Sequence, residues 1–161
     1  MIKVLLVDDH PVVRAGYARL LTQQPGIDVV AEAGNADEAY EAYIQHMPDV
    51  TITDVSMPGV GGLGLVQKIL MRHAHACLLV CSMYDSAPLV ERVFQTGAKG
   101  FVSKNAQPQD LIKAVHEVYA GRSFNSETQS HQQAIGQQED EVARLASLTP
   151  KEYELLRLLT Q

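Results

Sequence analysis

The chain predicts a doubly wound α/β fold: a five-stranded parallel sheet in the order 2-1-3-4-5, followed by a linker and an incomplete helical segment. Three observations predict it. Short apolar runs alternate with amphipathic segments five times between Lys3 and Gly121. The connections between them are short, and right-handed crossovers then leave few topologies open. Finally, the first and third runs end on carboxylates, Asp8-Asp9 and Asp54, at the strand ends where open parallel sheets bind ligands.

The first strand spans Lys3 to Val7, and Pro11 suits the first turn of the helix behind it, where Val12, Val13, Gly16, Leu20 and Leu21 form a stripe. Pro25-Gly26 ends that helix. The second strand runs from Asp28 to Ala33. Asn35 with Glu38 three residues on has the form of a capping box, opening a helix that runs to about Met47 before Pro48. Val50 to Thr53 is β-branched and of buried-strand length, and places Asp54 at its tip. Leu63 to Arg72 reads as the following helix. Cys77 to Cys81 is the fourth strand, ending at Ser82; a helix from Ala87 to Thr96 stops at Gly97. Lys99 to Ser103 is the fifth, ending at Lys104. Pro108 then opens a helix with Leu111, Ile112, Val115 and Val118 on one face, closed by Gly121.

After residue 121 the character changes. Residues 122–147 read as a linker: Ser123 to Gln138 is rich in Ser, Gln, Asn and Glu and has little to bury. In residues 148–161, Thr149-Pro150-Lys151-Glu152 offers an N-cap, a first-turn proline and an acid, ahead of an apolar face of Leu155, Leu156, Leu158 and Leu159. One helix with that face cannot be a domain. It reads as the first element of a second domain.

Composition bounds the function class. Of 161 residues, 46% are hydrophobic and 20% charged, which is a globular balance. The apolar runs fall far short of a membrane span and no signal peptide is read, so the expected location is the cytoplasm. A net charge of −6 argues against a broad basic surface for nucleic acid. Cys77 and Cys81 sit on one strand, roughly 13 Å apart at about 3.3 Å per residue. A disulfide needs Cα atoms within about 7 Å, so both are expected as reduced thiols.

In the expected strand order the crevice falls between strands 1 and 3, which gathers Asp8, Asp9 and Asp54, with Ser82 and Lys104 on the neighbouring tips. Singly these residues have ordinary explanations, since a strand-end Asp often forms a turn and most lysines are solvated. Together they carry chemistry. Clustered carboxylates disfavour one another's ionisation, and a hard divalent cation relieves this. An oxygen-only site of this kind suits Mg²⁺, which also binds phosphate oxygens. One carboxylate can then act as nucleophile and become an aspartyl-phosphate, with Lys104 as a point charge and the Ser82 hydroxyl as a donor.

Val7-Asp8-Asp9-His10, Asp54-Val55-Ser56-Met57-Pro58-Gly59, Ser82 after an apolar strand, and Gly97-Ala98-Lys99-Gly100-Phe101-Val102-Ser103-Lys104 together resemble the flavodoxin-like receiver domain of two-component response regulators. The resemblance covers residues 1 to about 121. The tail from Leu148 to Leu159 resembles the opening of a LuxR-type helix-turn-helix domain, which points to the NarL/FixJ subfamily of transcription factors.

The resemblance implies a phosphoacceptor rather than an enzyme. Asp54 would take a phosphoryl group from a sensor histidine kinase. Asp9, Asp54 and the backbone carbonyl of Ser56 would ligate Mg²⁺, with Asp8 acting mostly through water. Ser82 and Phe101 would form the switch pair, Lys104 would neutralise the phosphoryl group, and Ser56 and Tyr84 would tune its lifetime. Phosphorylation would act on the Ser82/Phe101 region and the helix from Ala87 to Thr96. DNA would be bound only through the C-terminal domain that these residues merely begin, and a homodimer is a further expected partner. The sequence departs from the family's pattern at Asn105, where many receivers have proline after a cis bond; a cis bond before a non-proline residue costs about 3 kcal/mol. It also has Ser82 where Thr is commoner.

Two other readings compete. A Mg²⁺-dependent aspartyl-phosphate phosphohydrolase on the same sheet usually wants a second acid two residues after the nucleophile, and Asp54-Val55-Ser56 has none. Gly59-Val60-Gly61-Gly62-Leu63-Gly64 matches a dinucleotide-binding fingerprint, with Asp85 about 20 residues on. However, Pro58 and the preceding residues separate it from the strand tip where a tight turn is wanted, and three acids would face the pyrophosphate. Glycines there free a loop over a site more simply. His73 and His75 lack a third ligand, and His10 is read as a loop residue.

Overall fold

A computed structural model describes residues 1–57 and 61–127 of the chain. The elements are β1 (Ile2–Val7), α1 (Pro11–Thr22), β2 (Ile27–Ala33), α2 (Ala36–His46), β3 (Val50–Asp54), α3 (Gly61–Arg72), β4 (Leu78–Ser82), α4 (Ala87–Gln95), β5 (Gly100–Ser103), α5 (Pro108–Tyr119) and β6 (Phe124–Asn125). All strand pairings are parallel, in the order β2-β1-β3-β4-β5-β6.

The five-strand order is as expected, and a sixth strand extends it. Phe124 and Asn125 pair with Gly100 and Phe101, Phe124 is buried, and the Ser103 N–H donates to Ser126 Oγ at 2.9 Å. The sheet therefore continues past residue 121, into residues assigned above to the linker. The physical reason is that one aromatic side chain with a core slot outweighs a polar neighbourhood. Residues 128–161, with the remaining linker and the leucine-rich segment, lie outside the described residues, as do Pro58, Gly59 and Val60.

Alternation along the strands builds two cores. Leu5, Val7, Val80 and Phe101 face α2, α3 and α4 with Leu65, Val66, Ile69, Val90 and Val93. Val4, Leu6, Ile52, Leu79, Cys81 and Val102 face α1 and α5 with Leu21, Leu111, Val115 and Val118. Most of these side chains are wholly buried, each contributing about 1.5–3 kcal/mol.

Local chemistry sets the helix starts. Asn35 Oδ1 accepts from the Glu38 N–H at 2.9 Å, while Glu38 Oε2 accepts from the Gly34 N–H at 3.1 Å, one residue earlier than a strict capping box would have it. Pro11, Pro88 and Pro108 occupy first-turn positions. Gly62 is required by packing: a Cβ there would lie 1.7 Å from the Asp54 carbonyl oxygen. Thus at least part of the glycine run serves to seat α3 against the tip of β3. No peptide bond is cis among the described residues, the Lys104–Asn105 bond included. Both cysteines are free.

Candidate functional site

Parity and register bring the site together. Asp8, Asp54 and Lys104 each lie two residues beyond Leu6, Ile52 and Val102, so all three continue the face that carries α1 and α5. Val7 pairs with Thr53, which sets the first two acids side by side. Lys104 Nζ bridges them, 2.8 Å from Asp8 Oδ2 and 3.0 Å from Asp54 Oδ2. The three side chains are only 6%, 3% and 5% exposed, so the contacts are screened little by water.

Each buried carboxylate has a second anchor. The His10 N–H donates to Asp8 Oδ1 at 2.8 Å, and the Ser56 N–H donates to Asp54 Oδ1 at 3.2 Å. Asp9 differs. Its Oδ1 is buried without a hydrogen-bond partner, and His10 Nδ1 stands 2.9 Å away. Ligand atoms of Asp8, Asp9, His10 and Asp54 all fall within 4.8 Å of one another.

Burial alone would lower the Lys104 pKa, yet the hydrogen bonds it donates to Asp8 and Asp54 prevail and hold it above its ordinary value. Below the cluster, burial pushes the Cys81 thiol up to about 12, with the fields of Asp54 and Asp8 adding to the rise and that of Lys104 opposing it. Tyr17, on α1, is likewise raised, first by burial and then by Cys81, Asp8 and Asp54. It lines a cleft of about 440 Å³ between α1 and the start of α5, with Lys104 in its wall.

The switch candidates are placed on the other side of the sheet. Ser82 is fully buried, and its Oγ accepts from the Tyr84 N–H at 3.0 Å. Phe101 is fully buried in the core under α4, whereas the Tyr84 side chain is 68% exposed. The Lys104 N–H donates to the Ser82 carbonyl at 2.8 Å, so the tips of β4 and β5 are tied. Asp85 does not join the acid cluster; its Oδ2 lies 3.4 Å from Ser103 Oγ.

Sequence reasoning gave three residues no role in the site. His10, read as a loop residue, donates its N–H to Asp8 Oδ1, Arg14 donates to the Asp8 carbonyl at 2.9 Å, and Tyr17 lines the cleft that Lys104 also walls. The helical period of α1 carried a weak signal for the last two, since Arg14 and Tyr17 share a stripe with His10 (i, i+4 and i, i+7).

A parallel sheet with acids on β1 and β3 and a lysine on β5 meeting at one crevice is the architecture of a phosphorylation-controlled receiver. Comparison with known proteins agrees. Residues 4–116 match the family described as "Response regulator receiver domain", and the chain belongs to that family. It is similar to the response regulator UvrY of Escherichia coli strain K12, 37% identical over 163 aligned positions that take in 100% of this chain and 75% of UvrY. Among solved structures it is similar to a LuxR-family two-component response regulator from Aurantimonas sp. SI85-9A1, with TM-score 0.78 and 36% identity over 85% of this chain and 98% of that one. The isolated REC domain of RcsB from Salmonella enterica serovar Typhimurium, solved in the presence of phosphomimetic BeF3-, matches with TM-score 0.71 and 28% identity over 77% and 92% of the two chains. These relatives support the NarL/FixJ-type subfamily. No helix among the described residues is long and apolar enough to cross a membrane.

Proposed function

We propose that this chain receives a phosphoryl group on Asp54 from a sensor histidine kinase, and that the longer protein of its type controls transcription through a C-terminal DNA-binding domain. The observation that carries this is the buried Lys104 bridge between Asp8 and Asp54, with the orphaned oxygen of Asp9 beside it.

Three carboxylates against one ammonium leave formal negative charge that a dication would offset, and the oxygen-rich donor set fits Mg²⁺. Asp9, Asp54 and the Ser56 carbonyl would hold the ion, with Asp8 acting through water. When bound, Mg²⁺ supplies charge neutralisation at the phosphoryl oxygens. The chain's own groups do the rest. Ser56 N–H and Lys104 fix the two oxygens of the Asp54 carboxylate. One of these attacks phosphorus, the bond from phosphorus to the donor's leaving atom breaks, and a mixed anhydride forms on Asp54. Lys104 then neutralises a phosphoryl oxygen, and the Ser82 hydroxyl turns from Tyr84 N–H toward another. Movement of Ser82 frees space over Phe101, whose repacking would shift α4 between two states. Ser56 and Tyr84, at the rim, would set how readily water reaches the anhydride.

Residues 1–121 form the core of the receiver in this reading, 122–147 lead out of it, and 148–161 begin a LuxR-type helix-turn-helix domain. The protein works in the cytoplasm, DNA contact belongs to that second domain, and a second copy of the chain is the remaining partner. Asp54 is a stoichiometric acceptor and not a turnover nucleophile, because no acid stands two residues after it.

The test is intact-mass spectrometry after incubation with Mg²⁺ and acetyl phosphate. One phosphoryl addition to the wild type and none to Asp54→Ala is expected. Steady release of phosphate from small esters would instead favour the phosphohydrolase.

A further inference from the structure

We propose that Arg14 is a positioning residue for the cation site, holding the turn after β1 so that Asp9 faces Asp54. The proposal rests on the reading that Asp9 and Asp54 ligate Mg²⁺.

The three acids are not held alike. Asp8 and Asp54 each accept two hydrogen bonds on separate oxygens, while Asp9 Oδ1 has none. With only the His10 imidazole beside it, 2.9 Å away, its direction depends chiefly on the backbone that carries it. The Arg14 side chain grips that backbone. Its Nη1 donates to the Asp8 carbonyl at 2.9 Å, while the His10 carbonyl is held at 2.9 Å by the Arg14 main-chain N–H, the first-turn helix bond that any residue but proline would make there. A peptide unit turns as a plane, so fixing the Asp8 carbonyl fixes the Asp9 N–H and the bond leading to its Cα.

The guanidinium is itself anchored. Nε lies 3.3 Å from Glu32 Oε1 on β2, and the side chain is 25% exposed. Nη1 also passes over Gly34, where an added Cβ would lie 3.0 Å from it. The planar fork of arginine serves two acceptors from one group, which a lysine ammonium on a flexible stem does not reproduce.

Charge and positioning predict opposite signs, which makes the idea testable. Deleting a positive charge beside a cation site strengthens cation binding if Coulomb forces alone matter. Deleting a brace weakens it. Outer contacts that orient metal ligands are typically worth about 10–100-fold in affinity.

The experiment is a Mg²⁺ titration of the full chain, followed by calorimetry or amide chemical shifts, well below the melting temperature established in EDTA. We expect Arg14→Ala to bind Mg²⁺ about tenfold more weakly than wild type, with Arg14→Lys between them. Gly34→Ala, which presses on the guanidinium without altering charge, should bind a few-fold more weakly on the same basis. Saturable wild-type binding that Asp9→Asn weakens, alongside unchanged or tighter binding by Arg14→Ala, overturns the Arg14 role alone. Should Arg14→Ala fail to fold, wild-type affinity in both Arg14→Lys and Gly34→Ala overturns it equally. Absence of wild-type binding, or indifference to Asp9→Asn, overturns the cation-site reading and this proposal with it.

Discussion

The Lys104 ammonium sits 3.0 Å from the Asp54 carboxylate with both side chains almost wholly out of solvent. Such a pair is costly to assemble, but far costlier to break on one side. Lys104→Met should leave Asp8 and Asp54 as facing buried carboxylates and destabilise the fold by about 3 kcal/mol. Urea unfolding in EDTA measures this. Added Mg²⁺ should recover part of the loss in the variant and stabilise the wild type less.

Alkaline pH should loosen the protein through the same region. Cys81 is raised from 9.0 to about 12 by burial, Lys104 is raised by its two carboxylates, and Tyr17 is raised by burial. In each case the folded state keeps its proton at a pH where the unfolded chain has lost it. The stabilisation is therefore complete below the unfolded values and is lost as pH rises through the folded ones. Melting temperature should begin to fall near pH 9.0, the ordinary thiol value. Cys81→Ala should be less stable at neutral pH yet show a shallower fall from there to about pH 12. A fall equally steep in that variant would contradict the assignment to Cys81.

Gly62→Ala should disrupt the phosphoacceptor strand from behind. The added Cβ would meet the Asp54 carbonyl oxygen at 1.7 Å and the Val55 Cα at 2.9 Å, both backbone atoms that cannot rotate aside. Overpacking costs typically about 1–3 kcal/mol, and relief would require moving the carbonyl next to the reactive side chain. Thermal unfolding should show the loss, and acetyl phosphate labelling should slow. Gly16→Ala is the control, since nothing lies within 4 Å of a Cβ there.

Cutting the chain tests whether the folded unit extends past the expected domain edge at residue 121. A protein ending at residue 121 loses the slot-filling Phe124, 4% exposed, and the Ser126 hydroxyl that satisfies the Ser103 N–H. A protein ending at 127 keeps both. The shorter form should be less stable by about 3 kcal/mol, the usual cost of deleting a buried phenylalanine. Calorimetry on the two measures what residues 122–127 add.

The contrast between Phe124 and Asp54 explains how much could be read beforehand. Strands β1 and β3 to β5 are buried on both faces and spelled as apolar runs, so their ends, and with them Asp8, Asp54, Ser82 and Lys104, were legible. Strand β6 has two residues among polar neighbours, and only tertiary docking makes it a strand. Arg14 was illegible for a related reason. Its partners are a main-chain carbonyl and a glutamate on β2, which no local spacing announces. The β4–α4 turn yielded Ser82 and Tyr84 but not the contact of Asp85 with Ser103.

Because β6 runs parallel to β5, the described chain ends toward the same carboxyl end of the sheet where the acids gather, with Asn125 alongside Phe101 and Ser126 clipped to the residue before Lys104. Ser126 is thus joined by one hydrogen bond to the strand whose tip carries Lys104. A rearrangement of β5 too small to alter the outline would still pull on Phe124 to Ser126.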